Sequence, residues 1–208
     1  MKYLLFIPLL FFSTFSYNEN EYHFDKYVEY ENEEKNTREY FMFNENSNDY
    51  YFSFYFDFNN KLSGVIYDSK NLKSHHFLVS NDDLGVKFTY LKSTSYLLNK
   101  KNKTFVEYHF ESTEKKIDSV SNEVNLLKFN NPKKKKSSKA FDLVYEKNDI
   151  LIDQRFLNHF CHGYFSNTDF EFSIPLPKKI TVYHNDKKVE TYQLTKLQKI
   201  NTQLKVQL

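Results

Sequence analysis

Histidine and cysteine are the side chains best able to hold a transition metal, and the densest group of them is His159, Cys161 and His162 within NHFCHGYF. Imidazole and thiolate suit zinc or copper, and His75, His76, His109 and His184 could complete a shell. The spacing matches neither a zinc finger, which uses separated ligand pairs, nor covalent haem attachment, which needs two cysteines. On a helix His159 and His162 would share a face at i,i+3 while Cys161 points elsewhere. The competing reading is a buried thiol flanked by surface histidines.

A second candidate is the run Lys133, Lys134, Lys135 and Lys136, followed by Lys139, in a lysine-rich loop at 131–139. Such a run can dock on anionic lipid headgroups at about 1 kcal/mol per charge. Repulsion between like charges, with no apolar face beside them, favours a plain solvated loop instead. Paired acids at Glu29 with Glu31, Asp82 with Asp83 and Asp169 with Glu171 could in principle do acid–base chemistry. They read more simply as solvent-facing positions among apolar residues that face the other way. G-x-S-x-G, H-E-x-x-H, P-loop and dinucleotide fingerprints do not occur in the sequence, so no catalytic role is assigned from motifs and no cofactor is expected.

The elements that would position these groups are strands. Residues 50–58 read YYFSFYFDF, where Phe52, Phe54, Phe56 and Phe58 alternate with Tyr51, Ser53, Tyr55 and Asp57. A period of two puts the phenylalanines on one buried face and leaves the other to solvent. Asn59, Asn60 and Lys61 supply turn chemistry before SGVIY at 63–67, which predicts a hairpin. Further strands are expected at 76–79, 86–91, 104–110, 141–145, 170–174 and 180–183, the last joined across Asn185-Asp186 to a strand at 189–194. Turn signals about every ten residues point to an antiparallel meander rather than βαβ units. The expected fold is therefore mainly β, an open curved sheet or partly closed barrel with one or two short helices. Helices are suggested by Ile117, Val120, Val124 and Leu127 after Ser112 and Thr113, and by Leu151, Ile152, Phe156 and Phe160 before Gly163.

The amino terminus looks like an export signal. Met1 and Lys2 precede an apolar stretch from Tyr3 to Phe12, and Thr14 and Ser16 are small residues three and one before a cut after Ser16. That stretch is too short to span a bilayer, which needs roughly 20 residues. Residues 1–16 are thus read as a signal peptide and 17–208 as a single β-rich domain. With a single cysteine there is no internal disulfide, so burial and backbone pairing must stabilise the exported fold. The formal charge of +2 provides no global field for nucleic acid. Asn102-Lys103-Thr104 forms a glycosylation sequon, which matters in a eukaryotic source.

The leader MKYLLFIPLLFFSTFSYNEN, then FDKYVEYE and YYFSFYFDFNNKLSGVIYDSKNLKSHHFLV, resembles small exported proteins of AT-rich Bacteroidota. The GLPGLI group among them carries a glycine-containing signature before a late strand, whereas this chain has Phe172-Ser173-Ile174-Pro175-Leu176-Pro177. The resemblance implies a protein of the periplasm or cell surface. Together these features predict a non-catalytic binding or structural module of the cell envelope whose partner is an envelope protein or a small apolar ligand. The alternatives are a metal-binding protein or metalloenzyme using His159, Cys161 and His162, and a toxin-neutralising, immunity-like protein.

Overall fold

The computed structural model describes residues 19–83, 85–95, 109–129, 136–161 and 172–207. It is dominated by one eleven-stranded antiparallel sheet. In chain order the strands are β1 (Glu19–Asn32), β2 (Thr37–Asn44), β3 (Ser47–Phe56), β4 (Leu62–Asp68), β5 (Lys73–Asp82), β6 (Gly85–Ser95), β7 (His109–Lys116), β8 (Ser121–Phe129) and β9 (Ser137–Glu146). Then come β10 (Leu151–Asp153), α1 (Gln154–Cys161), β11 (Ser173–Pro175), β12 (Pro177–His184) and β13 (Lys187–Gln207). The sheet order is β6-β5-β4-β3-β2-β1-β13-β12-β9-β8-β7, and β10 pairs with β11 as a separate two-stranded ribbon. The first and last strands lie side by side at the centre, where Glu19 pairs with Gln207 and Asn32 with Tyr192.

The sheet curls without closing into a barrel. β1 and β5 are four strand spacings apart, about 19 Å in a flat sheet. A tyrosine and a histidine side chain together fall well short of that span. Yet the Tyr22 hydroxyl on β1 lies 2.9 Å from His75 Nε2 on β5, so the sheet between them must bend. The bend brings edge strand β6 close to β13 with no ladder between them.

Both faces of the sheet carry a core, which explains why β2 reads as a continuous apolar run. Phe41 and Phe43 face one core and Met42 faces the other. On the first face Val28, Tyr30, Phe41, Phe43 and Tyr51 meet Phe156, Leu157 and Phe160 of α1 and extend across β8, β9 and β12. Phe156 sits edge-on to Phe41 at 5.0 Å and Phe160 to Tyr192 at 4.7 Å between ring centroids. On the second face Tyr22, Phe24, Met42, Phe52, Ile66 and Phe77 pack with Leu204 and Val206 inside the curl. β1 serves both cores because its register against β13 shifts between Phe24 and Lys26. Such an irregularity re-aims the side chains that follow it.

The mainly β expectation holds, and its departures have local causes. The Phe52 face does not leave the other face to solvent, since Tyr51 and Ser53 are buried as well. β3 ends at Phe56, so Phe58 lies in the turn. The helix suggested over 117–127 is instead the β7–β8 hairpin. Its tight turn is held by Asp118 Oδ1, which accepts from the backbone N–H of Val120 and of Ser121. Val124 and Leu126 then alternate inward along β8. The second suggested helix forms only as α1, because Leu151 and Ile152 belong to β10. Asp153 separates them as an N-cap, accepting from Arg155 N–H at 2.8 Å and Phe156 N–H at 3.3 Å. Of the lysine-rich loop expected at 131–139, Ser137–Lys139 belong to β9, and 131–135 lie outside the described residues. The predicted strand at 104–110 is seen from His109 and runs on to Lys116, and the one at 170–174 is seen from Ser173; the residues before them, Gly163 and the sequon at 102–104 lie outside the described residues. The turn between β12 and β13 has Asn185 at φ 51° and Asp186 at φ 64°, the left-handed pair that a two-residue hairpin demands.

Candidate functional site

Among the described residues, those singled out from sequence do not assemble into one centre. His159 lies on α1, half-buried, with Nε2 3.1 Å from Glu39 Oε2 and its ring edge-on to Phe41. Cys161 ends the same helix, and His162 is outside the described residues. His75 belongs to the opposite core face, and His76 Nε2 lies 3.2 Å from Thr94 Oγ1 on β6. His109 opens β7 and His184 closes β12. Among the described residues there is no group of three or more metal-capable side chains. Lys133, Lys134 and Lys135 lie outside the described residues, while Lys136 is exposed before β9. Lys139 is fixed to Asp142 at 2.6 Å and lies over the Tyr183 ring. Glu29 and Glu31 do share a face of β1, where Arg38 and Lys196 neutralise them. Asp82 pairs with Lys87, and Asp169 and Glu171 are outside the described residues.

Two features emerge that the sequence reading did not assemble. The first is an apolar rim at the end of the sheet that carries the β3–β4 and β5–β6 turns. Phe58 stands fully exposed in the turn, Phe56 is 65% exposed and Tyr55 41%. Val86, on the neighbouring hairpin, is 57% exposed. The exposed turn is held by Asp57, whose Oδ1 accepts from the N–H groups of Asn59 and Lys61. Asn60 takes up the required left-handed conformation, at φ 58°.

The second is a buried chain of polar groups across β1, β4, β5 and β6. Asp68 Oδ1 accepts from the Asn71 N–H at 2.8 Å, and its Oδ2 accepts from Asn71 Nδ2 at 2.7 Å and from the Tyr22 hydroxyl at 2.5 Å. The Tyr22 oxygen lies 2.9 Å from His75 Nε2, and His75 Nδ1 lies 2.6 Å from Ser93 Oγ. Ser93 Oγ is in turn 2.7 Å from the Tyr90 hydroxyl. These contacts fix the proton positions. Tyr22 spends its hydrogen on Asp68, so Nε2 must be the protonated nitrogen of His75 and Nδ1 the acceptor. Ser93 then donates to Nδ1 and receives from Tyr90. Burial pushes the His75 imidazole below its ordinary value, against the pull of Asp68. Burial would raise the Asp68 carboxyl, but the hydrogen bonds from Tyr22 and Asn71 outweigh it and hold it below the usual range. Tyr22 is raised, first by burial and then by donating to Asp68.

The sequence carried one sign of this chain. Gly64, Ile66 and Asp68 share a face of β4, so an acid follows an apolar residue on the inward side of a strand. Such a group has to find partners there. Which partners was hidden by distance along the chain, since Tyr22 is 46 residues from Asp68 and 53 from His75. A comparison with protein-family models finds no match, and no curated protein matches the chain either.

Proposed function

We propose that the protein is an exported interaction module of the cell envelope, placed in the periplasm or at the cell surface, that grips a partner protein through the aromatic rim of the β3–β4 turn. The observation that carries this reading is the exposure of Phe56 and Phe58, two residues apart, at a turn held by its own hydrogen bonds, with Tyr55 exposed on the other face of β3. Scattered single apolar side chains are ordinary on a surface, whereas clustered aromatics are a contact signature. Aromatic anchors on a pre-ordered turn also lose little entropy on binding. The leader at residues 1–16 supports export by its pattern of charge, apolar stretch and small residues.

The test is capture in the native host with a photo-reactive residue at position 58. A stoichiometric envelope protein cross-linked to a chain that begins at Tyr17 is the expected result, reduced at least tenfold by Phe56→Ser together with Phe58→Ser. Capture undiminished in that double variant, with an unchanged far-ultraviolet dichroism spectrum, would overturn the rim as the contact. An unprocessed chain found in the cytoplasm would overturn export.

A further inference from the structure

The Ser93–His75 pair sits toward the opposite end of the β5–β6 ladder from the rim and takes no part in the contact proposed there. Ser93 is the half-buried end of a chain whose inner members, His75, Tyr22 and Asp68, are all closed off from solvent. His75 and Ser93 are direct cross-strand partners in the ladder between β5 and β6. Pairing alone would bring them near each other. It does not account for a hydrogen-bond chain that runs one way from Tyr90 to a buried carboxylate. The ladder shifts register between His76 and Phe77, leaving Leu91 as the extra residue on β6. This shift lets Tyr90 and Ser93, three apart, turn to the same side and meet at 2.7 Å.

We infer that Ser93 is a nucleophile, activated by His75 as general base, that accepts acyl groups from small apolar carboxylic esters reaching the edge of the sheet at β6. Each part has a named group. Ser93 donates to the unprotonated Nδ1 of His75 at 2.6 Å, the arrangement nucleophilic catalysis requires. Tyr22 and Asp68 are positioning residues. They hold the tautomer with Nε2 protonated and place a carboxylate 4.0 Å from that nitrogen, where it stabilises the imidazolium formed when Ser93 loses its proton. Tyr90 supplies an O–H that already points at Ser93 Oγ and can turn to the oxygen of the tetrahedral intermediate. The ring of Tyr90, half-buried on the same strand and packed against the second core, offers an apolar surface beside Ser93 for a short acyl chain. In the step itself the Oγ–carbonyl carbon bond forms and the Ser93 proton passes to Nδ1. The bond from the carbonyl carbon to the alkoxy oxygen then breaks as that proton is delivered to the leaving alcohol. Water, deprotonated by the same nitrogen, hydrolyses the acyl-serine and regenerates the hydroxyl.

The experiment uses the purified full-length processed chain with two probes, 4-nitrophenyl acetate and an alkyl fluorophosphonate. With the fluorophosphonate the Oγ–P bond forms, fluoride leaves and the proton goes to His75. The expected result is one adduct per chain, mapped to Ser93 by peptide mass spectrometry, and at least tenfold slower in protein unfolded in urea. Ser93→Ala should abolish the adduct and lower nitrophenol release at least tenfold. Absence of an adduct on the folded chain, or equal labelling of Ser93→Ala, would overturn the inference. Ser93→Cys guards against a variant that fails to fold. Its thiol should alkylate with iodoacetamide along a pH profile centred below the ordinary cysteine value of about 8.5. A profile at or above that value would mean that His75 activates nothing, and the inference falls.

Discussion

At the scale of single residues, the buried polar chain makes the protein sensitive to acid. His75 is neutral in the fold, and burial sets its proton affinity below that of the unfolded chain, where a histidine titrates near about 6.5. The unfolded state therefore binds the proton first as pH drops, and stability is lost from about pH 6.5 down through the folded value. Asp68 acts in the same direction at lower pH. Its carboxyl is held below the unfolded value of about 3.9, so its contribution is present above that value and lost as pH falls through the folded one. The charges facing His75 are Asp68, which favours protonation, and Lys73 and His76, which oppose it. His76 is itself lowered, by burial and then by Lys92, and adds to the same slope. The urea midpoint of the wild type should fall between pH 7.5 and pH 5, and His75→Gln should fall less steeply over that interval. Equal slopes in the two proteins would show that His75 is not the buried titrating group.

At the scale of elements, the sequence displayed some strands well and others hardly at all, and packing explains the difference. The β3–β4 and β12–β13 hairpins announce themselves because each pairs a turn of Asn, Asp or Lys with β-type runs on both sides. β2 gives no alternation, because Tyr40-Phe41-Met42-Phe43 feeds two cores at once. The outer half of β13 carries Gln, Lys and Thr between its apolar residues, and its inward Leu204 and Val206 gain meaning only once β1 lies beside them. The candidate site was less legible still. His75 was visible as one histidine among seven, while the partners that give it a role come from three other strands. One contact between neighbouring strands shows how tightly the second core is set. Gly64 on β4 lies directly beneath the Phe52 ring, and a Cβ added there would stand 2.1 Å from Phe52 Cζ. Gly64→Ala should therefore cost about 1–3 kcal/mol by overpacking. Phe52→Leu, which shortens the blocking side chain, should reduce that cost, giving a coupling of about 0.5–3 kcal/mol in a double-mutant cycle. Strict additivity in chemical unfolding would mean that the ring moves aside freely.

At the scale of the whole molecule, the two cores share the strands that form them. β1 gives Tyr22 and Phe24 to one and Val28 and Tyr30 to the other, and β13 gives Leu204 and Val206 to one and Tyr192 to the other. Neither core can open without releasing part of the β1–β13 ladder that the second one needs. The two should therefore unfold as one cooperative unit, although they lie on opposite faces of the sheet. Phe52→Ala empties the second core and Phe156→Ala the first. Each removes a fully buried ring and should cost about 3–5 kcal/mol. Both variants should lower a single transition, with far-ultraviolet dichroism and tyrosine fluorescence coincident throughout, because the chain has 17 tyrosines and no tryptophan. A Phe156→Ala protein that unfolds in two steps, the later one at the wild-type midpoint, would mean that the curled half of the sheet stands by itself. The shared central strands would then be a covalent join between two independent units rather than the spine of one.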